Sequence, residues 1–172
     1  MFALARGDLD VAEQRLRQAV PLALELGGWF VLDTYRYLVD VLVRSGRLDD
    51  ARALLQFADR DVSEEDQAGQ AALRLAQATL ATAAGDRATA VEAFEDATRL
   101  FYELNQPVDL GDSCVEYGRA LESFGDAEGA QEQLLRARLL FEQMGAAGRV
   151  AEIDALVAES RGAGVAGPSR AT

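Results

Sequence analysis

Few side chains in this sequence are able to do acid–base or nucleophilic chemistry. The chain has no histidine, and all 17 of its basic residues are arginine. It therefore lacks an imidazole base, a His-assisted nucleophile and a Schiff-base lysine. Cys114 is the single thiol, so no intrachain disulfide forms. Paired carboxylates can act as acid and base, but no pair stands out among the 29 Asp and Glu residues. The sequence predicts a non-catalytic protein with no cofactor and no metal site.

Composition limits the partners of the chain. A net charge of −12 argues against direct contact with nucleic acid, because phosphate contacts need a positive surface. The same charge argues against binding to anionic membranes. No apolar run approaches the roughly 20 residues of a membrane-spanning helix, and we expect no signal peptide before the first helical segment. We expect a cytoplasmic protein.

A fourfold repeat organises the sequence. A Gly is followed five residues later by Ala, then after four by Leu or Phe, then after three by Ala. The glycines are 39, 39 and 40 residues apart. The four instances are Gly7/Ala12/Leu16/Ala19, Gly46/Ala51/Leu55/Ala58, Gly85/Ala90/Phe94/Ala97 and Gly125/Ala130/Leu134/Ala137. A period of this length is typical of helical repeat proteins.

The spacing predicts pairs of helices. The Ala, Leu or Phe, and Ala positions share one face of a helix, where small residues allow a neighbouring helix to come close. The Gly follows an earlier apolar segment and suits the left-handed residue that ends a helix. In three units Asp follows the Gly directly, whereas in the second unit Gly46 is followed by Asp only at Asp49. An Asp at this position can cap the next helix. Each unit therefore reads as helix, tight turn, helix.

This pattern resembles the second helix of the tetratricopeptide repeat family. In the first helix, Tyr35 and Cys114 stand where the family usually has Trp, and Gly118 matches its small close-contact residue. The resemblance implies an all-α, right-handed α-solenoid of helix-turn-helix repeats. The period exceeds the family's usual repeat of about 34 residues, with the surplus predicted at the end of the second helix. Long repeats like these are similar to the C-terminal helical arrays of large bacterial transcriptional regulators and nucleotide cyclases.

The third unit departs from the family pattern. Arg74 and Gln77 occupy positions expected to be apolar, whereas Leu73, Ala76 and Leu80 predict a helix shifted in phase by one residue. We expect residues 1–161 to form one repeat domain: a partial first repeat, three full repeats and a capping helix at Arg149–Ser160. Residues 162–172 are expected to be a disordered tail.

The resemblance places candidate binding residues on the first helices of the repeats, which line the concave groove in the family. The candidates are Asp33, Arg36, Asp40, Arg44, Arg74, Asp112, Arg119 and Glu122. The alternative is a solvated face whose charges pair within the helix, as Asp33 with Arg36 and Asp40 with Arg44. Trp29 is either a packing residue or an aromatic anchor for a partner.

These features favour a protein–protein interaction scaffold, expected to be the C-terminal repeat segment of a larger bacterial regulatory protein. The alternative is a domain that senses a peptide or a small-molecule effector and controls an attached regulator or cyclase module. The predicted helix Asp8–Leu26 is preceded by only a few residues, so its apolar stripe is expected to be covered by an upstream helix or by a second copy in a homodimer.

Overall fold

The structure is a computed structural model that describes residues 8–26, 29–61, 63 and 65–165. Within these residues all regular secondary structure is helical, which confirms the all-α class. The helices are α1 (Leu9–Leu26), α2 (Trp29–Arg44), α3 (Leu48–Asp61), α4 (Gln67–Ala83), α5 (Arg87–Glu103), α6 (Pro107–Ser123), α7 (Ala127–Gln143) and α8 (Ala147–Val165).

From α4 onward the helices follow a regular spacing. They begin at residues 67, 87, 107, 127 and 147, and each helix from α4 to α7 has 17 residues. The two helices of the α4–α5 hairpin are thus equally long, and so are those of α6–α7. In these hairpins the residues in excess of the usual repeat are not confined to the second helix. Helix α8 begins where this spacing places it and runs to Val165, beyond the predicted end at Ser160 and into the predicted tail. Residues 166–172 lie outside the described residues.

The turns between helices keep this spacing. Gly85 has a φ of +75°, which L side chains rarely adopt. Its amide donates to the carbonyl of Thr82 (3.1 Å), and the amide of Asp86 donates to that of Ala81 (2.9 Å). This is a Schellman motif, which satisfies carbonyls that the helix end leaves free. The positive φ recurs at Gly46, Gly125 and Gly145, and Asn105 takes the same role between α5 and α6 with a φ of +54°.

Asp86 and Asp126 cap the helices that follow them, as predicted. The carboxylate of Asp86 accepts from the amide of Thr89 (3.2 Å) and that of Asp126 from Gly129 (3.0 Å). Asp66 caps α4 in the same way. Asp49 differs, because it lies inside the first turn of α3 and pairs with Arg52 at 2.6 Å.

The chain divides into two compact units, one ending at Asn105 and the other beginning at Gln106. In the first unit α2 packs against α1, α3 and α4, and α4 packs against α5. Leu73, Ala76 and Leu80 are buried in the core that α4 shares with α2, whereas Arg74 is exposed. The predicted phase shift of α4 is confirmed.

In the second unit α7 packs against both α6 and α8. Gly118 of α6 lies so close to α7 that an added Cβ would be 3.1 Å from the carbonyl oxygen of Ala130 and from a side-chain carbon of Leu134. The predicted close-contact role of Gly118 is confirmed. Helix α8 buries Ile153, and Asp154 on the same helix pairs with Arg138 of α7 at 2.8 Å.

Helix α1 is covered more than its sequence predicted. Ala12 and Ala23 are buried, and Leu16 and Val20 pack partly buried against the core of the first unit. Arg47, just before α3, donates to both carboxylate oxygens of Glu13 on α1 at 2.9 Å. The side chain of Leu24 and residues 1–7 lie outside the described residues.

The repeat alanines should tolerate no larger side chain. Ala51, Ala90 and Ala130 are each 0% exposed. Ala90→Leu should lower the free energy of unfolding by about 1–3 kcal/mol, because the extra carbons overpack the contact made by α5. Urea denaturation followed by circular dichroism measures the loss. Ala88→Leu, at an exposed position of the same helix, is the matched control and should change stability little; equal stability of both variants would contradict the repeat packing.

Candidate functional site

The four charged candidates on α2 form a row along the helix. Asp33 lies 3.4 Å from Arg36, and Asp40 lies 3.4 Å from Arg44. Both pairings predicted from the sequence are therefore present. Residues three and four apart lie on one helix face, so the row alternates in sign along that face: acid, base, acid, base. We call these four residues the α2 charge row.

Arg36 is the most enclosed member of the row. Its side chain is only 14% exposed, and its guanidinium carbon lies 4.6 Å from the centre of the Tyr37 ring. A cation above an aromatic face is attracted by the ring quadrupole. Tyr37 was not among the sequence candidates, because a neighbour in sequence points in a different direction on an ideal helix and gives no pattern signal.

Asp40 lies in a less polar setting than an ordinary surface carboxylate. Burial raises the pKa of Asp40, although the positive charges of Arg44 and Arg36 act in the opposite direction. Desolvation thus outweighs attraction at this position. A perturbed carboxylate in a row of charges is a candidate for function, although ion-pair networks also perturb pKa values.

Arg74 is tied to the other helix of its own hairpin. Its guanidinium lies 3.6 Å from Asp96 of α5 and donates to the side-chain oxygen of Gln77 (3.0 Å). Asp96 also pairs with Arg99 at 3.1 Å. Arg74 is therefore held in a polar cluster between α4 and α5.

In the second unit the candidates separate into two groups. Asp112 of α6 forms an ion pair with Arg149 of α8, and Arg149 also lies 4.7 Å from the ring centre of Phe141. Asp112 is thus joined to the last helix. Arg119 and Glu122 are exposed on α6. Trp29 is the first residue of α2, but its side chain lies outside the described residues, so neither reading of it is tested.

Cys114 is fully buried in the second unit. Burial raises the pKa of the Cys114 thiol to about 11, and the charge of Arg136 lowers it only in part. A reactive cysteine needs a depressed pKa and access to solvent. Cys114 has the opposite properties and acts as a small apolar residue.

The described part of the chain has neither a metal cluster nor a membrane-spanning helix. No group of three or more Cys, Asp or Glu side chains there is placed to hold a metal ion. None of the described helices has the length and apolar character needed to cross a membrane. Comparisons with known proteins found no family model that matches the chain and no curated protein similar to it.

The setting of Asp40 leads to a stability prediction. Asp40→Asn should raise the free energy of unfolding at pH 7, by less than about 1 kcal/mol after solvent screening. Because the folded-state pKa is raised, the ionised carboxylate costs stability above that pKa, and the cost disappears as the pH falls. The gain in the free energy of unfolding should therefore be smaller at pH 3 than at pH 7. Urea denaturation at both pH values measures it, and a loss of stability at pH 7 would show that the pairing with Arg44 dominates.

The Cys114 thiol should resist modification in the folded protein. Its pKa of about 11 leaves little thiolate at pH 8, so a disulfide reagent should label it at least roughly a hundredfold more slowly than in denaturant. The raised pKa also means that stability falls as the pH rises from 9.0 to about 11. The absorbance of the thiol that the reagent releases measures the labelling. Rapid reaction of the native protein would contradict the burial of Cys114.

Proposed function

We propose that this chain is a non-catalytic scaffold that binds a protein or peptide through the α2 charge row. The proposal takes the fold to be a right-handed tetratricopeptide-like solenoid with α8 as its C-terminal cap. In support, the helices pair as hairpins at a regular spacing, and in the first unit the first helices of two successive hairpins, α2 and α4, lie side by side. Membership of a larger bacterial regulator is a further part of the proposal, and it has only the resemblance of the long repeats to support it.

The α2 charge row is the observation that carries this proposal. Its alternating charges would select a partner by the order of charges along the partner chain rather than by net charge. Arg36 is partly desolvated, so an interaction with a carboxylate there is screened less than one at an exposed arginine. Burial raises the pKa of Asp40 and so disfavours its ionised form, an effect that a basic group of the partner would oppose.

The partner that fits is a segment with acidic groups opposite Arg36 and Arg44 and basic groups opposite Asp33 and Asp40. An ion pair within a helix is worth only a few tenths of a kcal/mol, so a partner's carboxylate can compete with Asp40 for Arg44, whose side chain is half exposed. Self-association through α1 stays a separate prediction, to be checked by sedimentation over a wide concentration range.

Peptides of zero net charge test the charge order. Two helical peptides with identical composition carry Glu and Lys at three- and four-residue spacing, one in the register complementary to the α2 charge row and one with the signs exchanged. The complementary peptide should bind tighter, and Arg36→Glu with Arg44→Glu should weaken it by about tenfold or more, with a flatter dependence on salt. Fluorescence anisotropy measures the affinities.

The matched control reverses Arg52 and Arg99, which are exposed in the same unit and pair within their own helices. This variant should bind the complementary peptide like the parent protein, and circular dichroism should show that both variants fold. Equal affinity for the two peptides, or equal loss in the two variants, would place the binding site elsewhere.

A further inference from the structure

One helix departs from the pattern that the other repeats keep on their outer face. When the second helices are aligned on Ala51, Ala90 and Ala130, the positions five and nine residues later are Gln56 and Arg60 in α3, Glu95 and Arg99 in α5, and Leu135 and Leu139 in α7. In α1, aligned on Ala12, they are Arg17 and Pro21. Every one of these positions is exposed. Two leucines therefore occupy positions where the other three helices carry no large apolar side chain.

Neither leucine is among the buried core residues of the second unit. Leu135 is 40% exposed and Leu139 is 55% exposed. The buried residues of α7 are Ala130, Leu134, Ala137 and Phe141, and they lie on the opposite face. A lone exposed leucine needs no explanation. Two leucines four residues apart on one face, in a register that is otherwise polar, form an apolar pair that a second helix can contact.

Acidic side chains surround this pair. Glu132 and Glu128 are exposed on the same side of α7, one and two turns before Leu135. Glu142 lies one turn beyond Leu139. Arg138 pairs with both Asp154 and Glu142, so these three side chains together carry a net negative charge. The other basic residue of α7 is Arg136, on the flank of this face. The surface thus combines two apolar anchors with a mainly acidic rim.

The charges argue against a second copy of this chain as the occupant. If two α7 helices paired antiparallel with Leu135 against Leu139, Glu132 of each copy would face Glu142 of the other. In a parallel pairing Glu132 would face its own counterpart. Like charges in direct opposition destabilise such contacts, and two chains with a net charge of −12 also repel each other at long range.

We propose that the outer face of α7 is a second docking surface, which binds a basic amphipathic helix of another protein. Two apolar side chains of that helix, three or four residues apart, contact Leu135 and Leu139, and its Lys or Arg residues meet Glu128 and Glu132. The site lies in the second unit and is independent of the α2 charge row in the first.

A designed peptide tests this proposal. The probe is an amphipathic helix of Leu and Lys, and its control is a peptide of the same composition with the leucines scattered around the helix. Both carry the same positive charge, so non-specific attraction to an acidic protein is common to them. The amphipathic peptide should bind about tenfold tighter or better. In spectra of ¹⁵N-labelled protein, its signal changes should centre on residues 128–142.

The decisive variant restores the repeat pattern by Leu135→Glu with Leu139→Arg, the residue types found at Glu95 and Arg99. It leaves the net charge unchanged and should remove the preference for the amphipathic peptide. The control, Leu22→Glu with Tyr102→Arg, replaces two side chains of the first unit that are 62% and 70% exposed, and it should keep the preference. An unchanged preference in the Leu135/Leu139 variant would overturn the proposal. So would concentration-dependent dimerisation of the parent protein that this variant abolishes, because a second copy would then be the occupant.

Discussion

Close contact between paired helices is the constraint on which the rest of this structure depends. Ala51, Ala90 and Ala130 are completely buried, and a Cβ added at Gly118 would lie 3.1 Å from the carbonyl oxygen of Ala130, a contact so tight that α7 would have to shift. A helix pair brought this close shields its backbone and buries the single large side chain between two alanines, such as Phe94. The apolar faces of the helices are therefore buried within the hairpins and, in the first unit, also between neighbouring hairpins, as where α2 packs against α4.

The turns between the helices repeat this contact at regular intervals along the chain. Between successive helices from α4 to α8 lies a Gly or Asn with a positive φ, and three residues separate one helix from the next. The turns at Gly85, Gly125 and Gly145 share the same two Schellman hydrogen bonds, and the Asn105 turn has the first of them. Equivalent positions therefore recur at a constant interval, so one repeat serves as the reference for another. The two exposed leucines of α7 stand out because α1, α3 and α5 carry no large apolar side chain at the equivalent positions.

Ion pairs between helices supplement the apolar contacts. Glu13 and Arg47 join α1 to the start of α3, Arg74 and Asp96 join α4 to α5, and Asp112 and Arg149 join α6 to α8. Hydrogen bonds from Arg17 and Arg47 lower the pKa of Glu13, against the opposing effect of burial. Exposed pairs of this kind add little stability each, but they occupy charges such as Asp112 and Arg74 that would otherwise be free to meet a partner. The α2 charge row contains the pairs Asp33–Arg36 and Asp40–Arg44, both within one helix.

The sequence by itself determined the all-α class, the glycine turns, the caps at Asp86 and Asp126 and the phase of α4, because each depends on residues within one turn or one helix. The pairs Asp33–Arg36 and Asp40–Arg44 were also predictable, since helical spacing alone brings them together. Only the tertiary structure decided that Arg74 and Asp112 are bound to other helices. It also decided that Asp40 is desolvated and that Leu135 and Leu139 stay outside the core. These properties depend on which neighbour covers a given face, and contacts between residues more than 20 apart, such as Asp112 with Arg149, leave no periodic signal in a single sequence.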